Sequence, residues 1–168
     1  MKRPDRVPVV SIVGRSGVGK TTLLEGVIAE LKRRGYRVAT IKHNVHGFEI
    51  DREGKDSWRL ARAGSDAVVI SSPQRLALVR HQDHDATIEE IALLIGSGYD
   101  IVLTEGFRED RAPKIEVHRK GFGDGPLCSP GELIAVATDE PLATAVPQLP
   151  LADPAAVAAF IESAVIGA

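Results

Sequence analysis

Only one cysteine, Cys128, occurs in the 168 residues. An internal disulfide is therefore impossible, and a zinc site built from several cysteines is excluded. Net charge is nearly absent too: 21 Lys and Arg against 23 Asp and Glu leave −2. Such a balance gives no global attraction to nucleic acid or to an acidic membrane surface, and neither is expected as a partner. No apolar run is long enough to span a bilayer. The basic start Lys2, Arg3, Arg6 leads through Val9–Val13 straight into a glycine loop, without the length or cleavage site of a secretory signal. Together these absences favour the cytoplasm. What is present, 43% hydrophobic and 26% charged residues, suits one globular domain covering 1–168. No repeat, low-complexity tract or interdomain linker interrupts it.

Val9–Val13 is a short apolar run ending at Gly14, which reads as a buried parallel strand. Leu23, Leu24, Val27, Ile28 and Leu31 recur at helical spacing, and Gly35 after Arg33 and Arg34 is a stop signal. Arg37–Ile41 is a second strand, and a short helix is expected over Trp58–Ala63. Asp66–Ser72 and Leu76–Arg80 flank Pro73–Arg75 as a hairpin. Thr87-Ile88-Glu89-Glu90 is a capping box for a further helix. Asp100–Thr104, Lys114–His118 and Leu133–Thr138 are three more strands, and Asp153-Pro154 opens a last helix. Gly121–Gly131, rich in Gly and Pro, reads as a segment ordered only with a ligand. The alternation predicts an α/β fold: a mostly parallel P-loop NTPase sheet with helices on both faces, plus an extended β-hairpin.

Gly14-Arg15-Ser16-Gly17-Val18-Gly19-Lys20-Thr21 matches the phosphate-binding loop pattern in full, with Thr22 next in the helix. Glycines let the backbone curl so that its N–H groups face phosphate oxygens, and the helix start adds its positive end. Lys20 is placed to reach the β- and γ-phosphates, and the Thr21 hydroxyl to bind Mg²⁺. Between a strand and a helix, the motif is far more specific than a plain glycine turn. Tyr99–Gly106 delivers a carboxylate, Glu105, to the end of an apolar strand, where it can hold the Mg²⁺ shell or orient a water; Asp100 at the other end is structural. In the polar stretch Asn44–Ser57, Asp51 or Asp56 could coordinate Mg²⁺, whereas Asp56 or Ser57 could equally cap the next helix. His43 with His46, and His81 with His84, lack the further ligands a transition metal needs, so hydrogen bonding is the favoured reading of them.

Four elements in order carry a resemblance. They are Gly14–Leu23; Ile41-Lys42-His43 followed by Asp51 and Gly54-Lys55-Asp56-Ser57; Leu103-Thr104-Glu105-Gly106-Phe107; and Pro113-Lys114-Ile115-Glu116-Val117-His118-Arg119. The chain resembles the MobB family of molybdopterin-guanine dinucleotide biosynthesis adaptors. The resemblance implies a GTP-binding protein with weak GTPase activity that assists the guanylyltransferase joining GMP to molybdopterin. It implies a homodimer, with Asp66–Arg80 as the dimerisation hairpin, and leaves direct contact with molybdopterin open. For guanine, Asp139 is the candidate reader, because a carboxylate accepts from both N1–H and N2–H₂; a turn role before Glu140-Pro141 weighs equally. Catalytic and metal roles fall to Glu105 and Asp51.

Two rivals stand beside that reading. A small-molecule kinase needs a basic lid, which Arg108, Arg111, Lys114, Arg119 and Lys120 could supply, diluted by Glu109, Asp110 and Glu116. A partition-type switch ATPase usually carries Lys after the first loop glycine, where this chain has Arg15.

Overall fold

β-Branched Val9, Val10, Ile12 and Val13 surround a buried Ser11 in Val9–Val13 (β1), and their alternation turns apolar side chains to both faces of the strand. Val10 and Ile12 face the helices Lys20–Arg33 (α1) and Pro154–Ile161 (α4), within a cluster that includes Leu24, Val27, Leu31, Val157 and Ile161. Val9 and Val13 serve the opposite face. There Val9 meets Ile88 and Ile91 of Ile88–Ile95 (α3), and Val13 packs with Cys128, Leu133 and Val136. A strand covered on both sides carries apolar residues toward both, and the one polar residue here, buried Ser11, accepts from Thr104 Oγ1 at 2.9 Å. The computed structural model describes residues 7–44, 46–48 and 50–167; Lys2, Arg3 and Arg6 lie outside them.

The remaining strands are Val38–Lys42 (β2), Ile101–Glu105 (β5), Lys114–His118 (β6), Leu133–Thr138 (β7) and Gln148–Pro150 (β8). They join β1 in the order β2-β5-β1-β6-β7-β8, and every pairing is parallel. The fold is therefore the expected α/β sheet with helices on both faces. Parallel strands send all their C-terminal ends to one edge, so Gly14, Glu105, Lys42, Arg119 and Asp139 follow or end strands on the same side.

Helix α1 ends as its sequence requires. Gly35 takes φ 91, its N–H donates to Lys32 O, and the Tyr36 N–H donates back to Leu31 O, which satisfies the last carbonyls. Asp153 caps α4 through Ala156 N at 3.0 Å, with Pro154 in the first turn. Asp100 has a structural place, accepting from the Arg37 N–H at 2.8 Å.

Two expectations need correction. The helix placed at Trp58–Ala63 spans Asp56–Arg62 (α2) and Lys55 occupies its cap position, so neither Asp56 nor Ser57 is the cap. Gly121–Gly131 is tied down without a ligand: Glu116, 1% exposed, accepts from Leu127 N at 2.6 Å and Cys128 N at 2.9 Å.

Contacts divide the described residues into two units, one within Met1–His43 and Ile88–Ala168, the other within Asn44–Thr87. The second unit holds α2 and an antiparallel pair, Ala67–Ser71 (β3) and Leu76–Arg80 (β4). Val69 pairs with Leu78 and Ser71 with Leu76, so Val69, Leu76 and Leu78 share one face. They are 57%, 71% and 44% exposed.

Candidate functional site

The loop after β1 is held by its own residues and by β6. Val18 is buried in the α1–α4 core and anchors the loop from below. Gly14 sits at φ 139, and a Cβ there would lie 2.5 Å from the Val117 carbonyl oxygen, so any side chain collides with β6. Arg119, just past β6, donates from Nε to Val18 O at 3.2 Å. Its Nη2 lies 3.1 Å from where a Cβ on Gly19 would stand. The loop peptides are thus fixed from two sides, while Arg15, Ser16, Gly17, Thr21 and Thr22 stay exposed. α1 starts at Lys20 with no side-chain cap, leaving its first N–H groups for an external acceptor.

Lys20 turns its ammonium across the loop, donating to Gly14 O at 3.1 Å and Arg15 O at 2.9 Å. The Thr21 hydroxyl donates to Glu105 Oε2 at 2.8 Å. The other carboxylate oxygen, Oε1, lies 3.3 Å from the Lys42 ammonium. Adjacent oxygens around an octahedral Mg²⁺ stand about 2.9 Å apart, so the Thr21–Glu105 pair has the spacing and the hard oxygen chemistry that this ion takes. Among the described residues no group of three His, Cys, Asp or Glu could hold a metal unaided. His43 stacks on Phe107 at 4.4 Å, and His84 Nδ1 lies 2.7 Å from Asp83 Oδ1.

Loop residues, Lys20, Thr21 and Glu105 therefore meet at one edge, as their positions in the sequence suggest. Asp51 belongs to the second unit, where its Oδ1 accepts from Ser57 Oγ at 2.8 Å and Arg52 N at 3.1 Å. Asp139 lies past β7 at the binding edge and is exposed, but its Oδ1 already accepts from Lys120 N at 2.8 Å. That bond gives the turn role a concrete partner.

The basic residues considered for a kinase lid are largely engaged. Lys114 is 3% exposed and donates to the Asp110 carbonyl, Arg108 Nε donates to Glu109 at 2.9 Å, and Arg119 serves the loop. Sequence reasoning did not single out Lys42, gave Arg119 only a lid role, and missed the pair of buried His118 Nε2 with half-buried Glu140 Oε1 at 2.9 Å. Each of Lys42, His118 and Arg119 ends or directly follows a strand, and that position was the available signal.

The model of the family described as molybdopterin guanine dinucleotide synthesis protein B matches residues 9–139. A molybdopterin-guanine dinucleotide biosynthesis adapter protein of Haemophilus influenzae is 41% identical over 140 residues, 82% of this chain and 78% of that protein. Its counterpart in Escherichia coli is 36% identical over 160 residues, 92% of this chain and 91% of that protein. A crystal structure of molybdopterin-guanine biosynthesis protein B superposes with TM-score 0.72 at 30% identity, covering 93% of this chain and 99% of that one. The chain belongs to the molybdopterin guanine dinucleotide synthesis protein B family.

Proposed function

We propose that this protein is a GTP-binding adaptor of low turnover in molybdenum cofactor biosynthesis, assisting the guanylyltransferase that attaches GMP to molybdopterin. The observation that carries the reading is the complete loop Gly14–Thr21 with Thr21 Oγ1 2.8 Å from Glu105 Oε2. Loop N–H groups and Lys20 hold the β- and γ-phosphates. Thr21 and Glu105 hold Mg²⁺, which when bound neutralises phosphate charge. Glu105 also orients the attacking water. Asp51, in the second unit, is the further carboxylate proposed for metal or water. Slow turnover, implied by the family resemblance, suits a protein that signals its nucleotide state to a partner.

The protein acts in the cytoplasm; among the described residues no helix is long and apolar enough to cross a membrane. It acts as a homodimer, in which the exposed face of Val69, Leu76 and Leu78 packs on a second copy. A lone two-stranded hairpin is marginal in water, and a partner that covers this face supplies the missing burial.

Competition between GTP and ATP tests the assignment. GTP should displace a fluorescent guanine nucleotide far better than ATP does, on the order of 10²-fold where buried hydrogen-bonding groups read the base. Preference for ATP would refute the adaptor reading. Asp139→Asn should narrow the GTP:ATP ratio; an unchanged ratio would assign base reading to another group.

A further inference from the structure

Three elements that end at one edge carry an unbroken chain of polar contacts. Glu105 Oε2 accepts from Thr21, and Glu105 Oε1 lies 3.3 Å from Lys42 Nζ. In the parallel register of β2 with β5, Lys42 stands directly opposite Glu105, so both side chains leave the same face of the sheet. Glu105 is 14% exposed and Lys42 63% exposed. An ion pair with one partner so open to water adds little to stability, so stability does not account for the lysine's place.

The backbone beneath this pair is held by contacts that use neither side chain. The His43 N–H donates to Glu105 O at 3.0 Å. The His43 ring stacks on Phe107, which is held at φ 56, a conformation bulky residues seldom take. At Gly106 a Cβ would come within 3.2 Å of His43 Cβ, so the two strand ends touch where a side chain would part them. Residues 42–43 and 105–107 thus form one rigid shelf, and Lys42 projects from it on a flexible stem.

Two lysines stand in this chain of contacts, one on the loop and one on Glu105. Lys20 reaches the loop carbonyls at 14 and 15, whereas among the described residues Lys42 is paired with Glu105, the same carboxylate that stands ready for Mg²⁺. A carboxylate engaged by a divalent cation has less to offer a neighbouring ammonium.

We propose that Lys42 binds the terminal phosphate of the nucleotide and distinguishes a nucleoside triphosphate from the diphosphate. The proposal rests on the loop being a nucleotide site, and it adds a second, movable cation to that site. On binding, the Lys42 ammonium leaves Glu105 for the γ-phosphate, whose charge the diphosphate lacks. Because only the triphosphate gains this contact, it alone shifts the lysine.

Equilibrium binding of GTP and GDP to the full chain at low salt with Mg²⁺ tests this, for wild type, Lys42→Ala and Lys42→Arg, with thermal melting of each. Lys42→Ala should weaken GTP on the order of tenfold or more while leaving GDP within about twofold, as expected for loss of one charge-assisted contact. Lys42→Arg should recover most of the loss, and all three proteins should melt together. Equal weakening of GTP and GDP, or no weakening of either, overturns the proposal. Wild-type protein that binds neither nucleotide overturns the nucleotide reading itself, and the role of Lys42 falls with it; the wild-type titration thus tells the two failures apart.

Discussion

Replacing Gly14 with alanine separates a backbone collision from a conformational preference. At φ 139 alanine occupies a region that L residues rarely adopt, a cost of about 1–3 kcal/mol. The new Cβ would also stand 2.5 Å from Val117 O, a backbone atom of a strand paired on both sides. No rotamer change relieves that contact, and shifting loop or strand adds about 1–3 kcal/mol. The sum centres near 4 kcal/mol, roughly additive because strain and overpacking act through different atoms. With about 2–4 °C lost per kcal/mol in a chain of this size, Gly14→Ala should melt about 8–16 °C below wild type. Gly35→Ala is the control: it sits at φ 91 with nothing within 4 Å of the added methyl. Only the left-handed backbone is penalised there, about 1 kcal/mol, or roughly 2–4 °C. Circular dichroism melts of the three proteins give the comparison. If Gly14→Ala and Gly35→Ala melt within about 2 °C of each other, the close approach of loop and β6 is not as described.

Other perturbations address other parts of the molecule. Glu105→Gln should keep GTP affinity within about tenfold while GTP hydrolysis falls by more than that, because water and metal placement suffer before ground-state contacts do; single-turnover and binding measurements with saturating Mg²⁺ check it, and unchanged turnover moves the role to Asp51 or Asp56. Val69→Asp with Leu76→Asp places two charges on one face of the β3–β4 pair and should give soluble monomer by light scattering, with wild type at the mass of a dimer. Burial, then the Glu116 carboxylate, pushes the Cys128 thiol up to about 11 from an ordinary 9. Its thiolate should therefore be on the order of 10²-fold scarcer at pH 8 than in the unfolded chain, with alkylation correspondingly slow until denaturant is added. Since the folded value is the higher one, the stability linked to this thiol is present below pH 9 and lost as pH rises through 11.

The parts of the fold that could be read in advance were those where local chemistry and long-range packing agree. Val9–Val13, the glycine loop and α1 form such a case: an apolar run, a turn only glycine can make and a periodic helix follow without a gap. Strand β8 could not be read. Its three residues carry no periodicity, and Pro150 argues against a strand except at an edge, which is where β8 lies. At α2 Ser57, a fair cap in isolation, is one of two caps the sequence leaves open; Asp51, six residues upstream, takes its hydroxyl instead. In β6 the alternation of Lys114, Glu116 and His118 with apolar residues resembles a half-exposed strand, yet all five residues are buried. Their partners, the Asp110 carbonyl, two N–H groups at 127 and 128, and Glu140, come from segments whose proximity no local pattern announces.

The order of strands in the sheet also bears on how the chain is made. β1 has no hydrogen-bonded neighbour until β5 and β6 exist: Val9 meets Val102, and Ser11 meets Lys114. β2 waits for β5 as well. A chain emerging from the ribosome and grown only to α3 therefore contains one completed strand pair among the described residues, β3 with β4. The strand that carries the glycine loop spends much of synthesis as an apolar segment with both edges open, the kind of segment that chaperones shield. Closing it requires contacts across 93 residues to β5 and 103 to β6, so the sheet should form late and together, with the hairpin present beforehand.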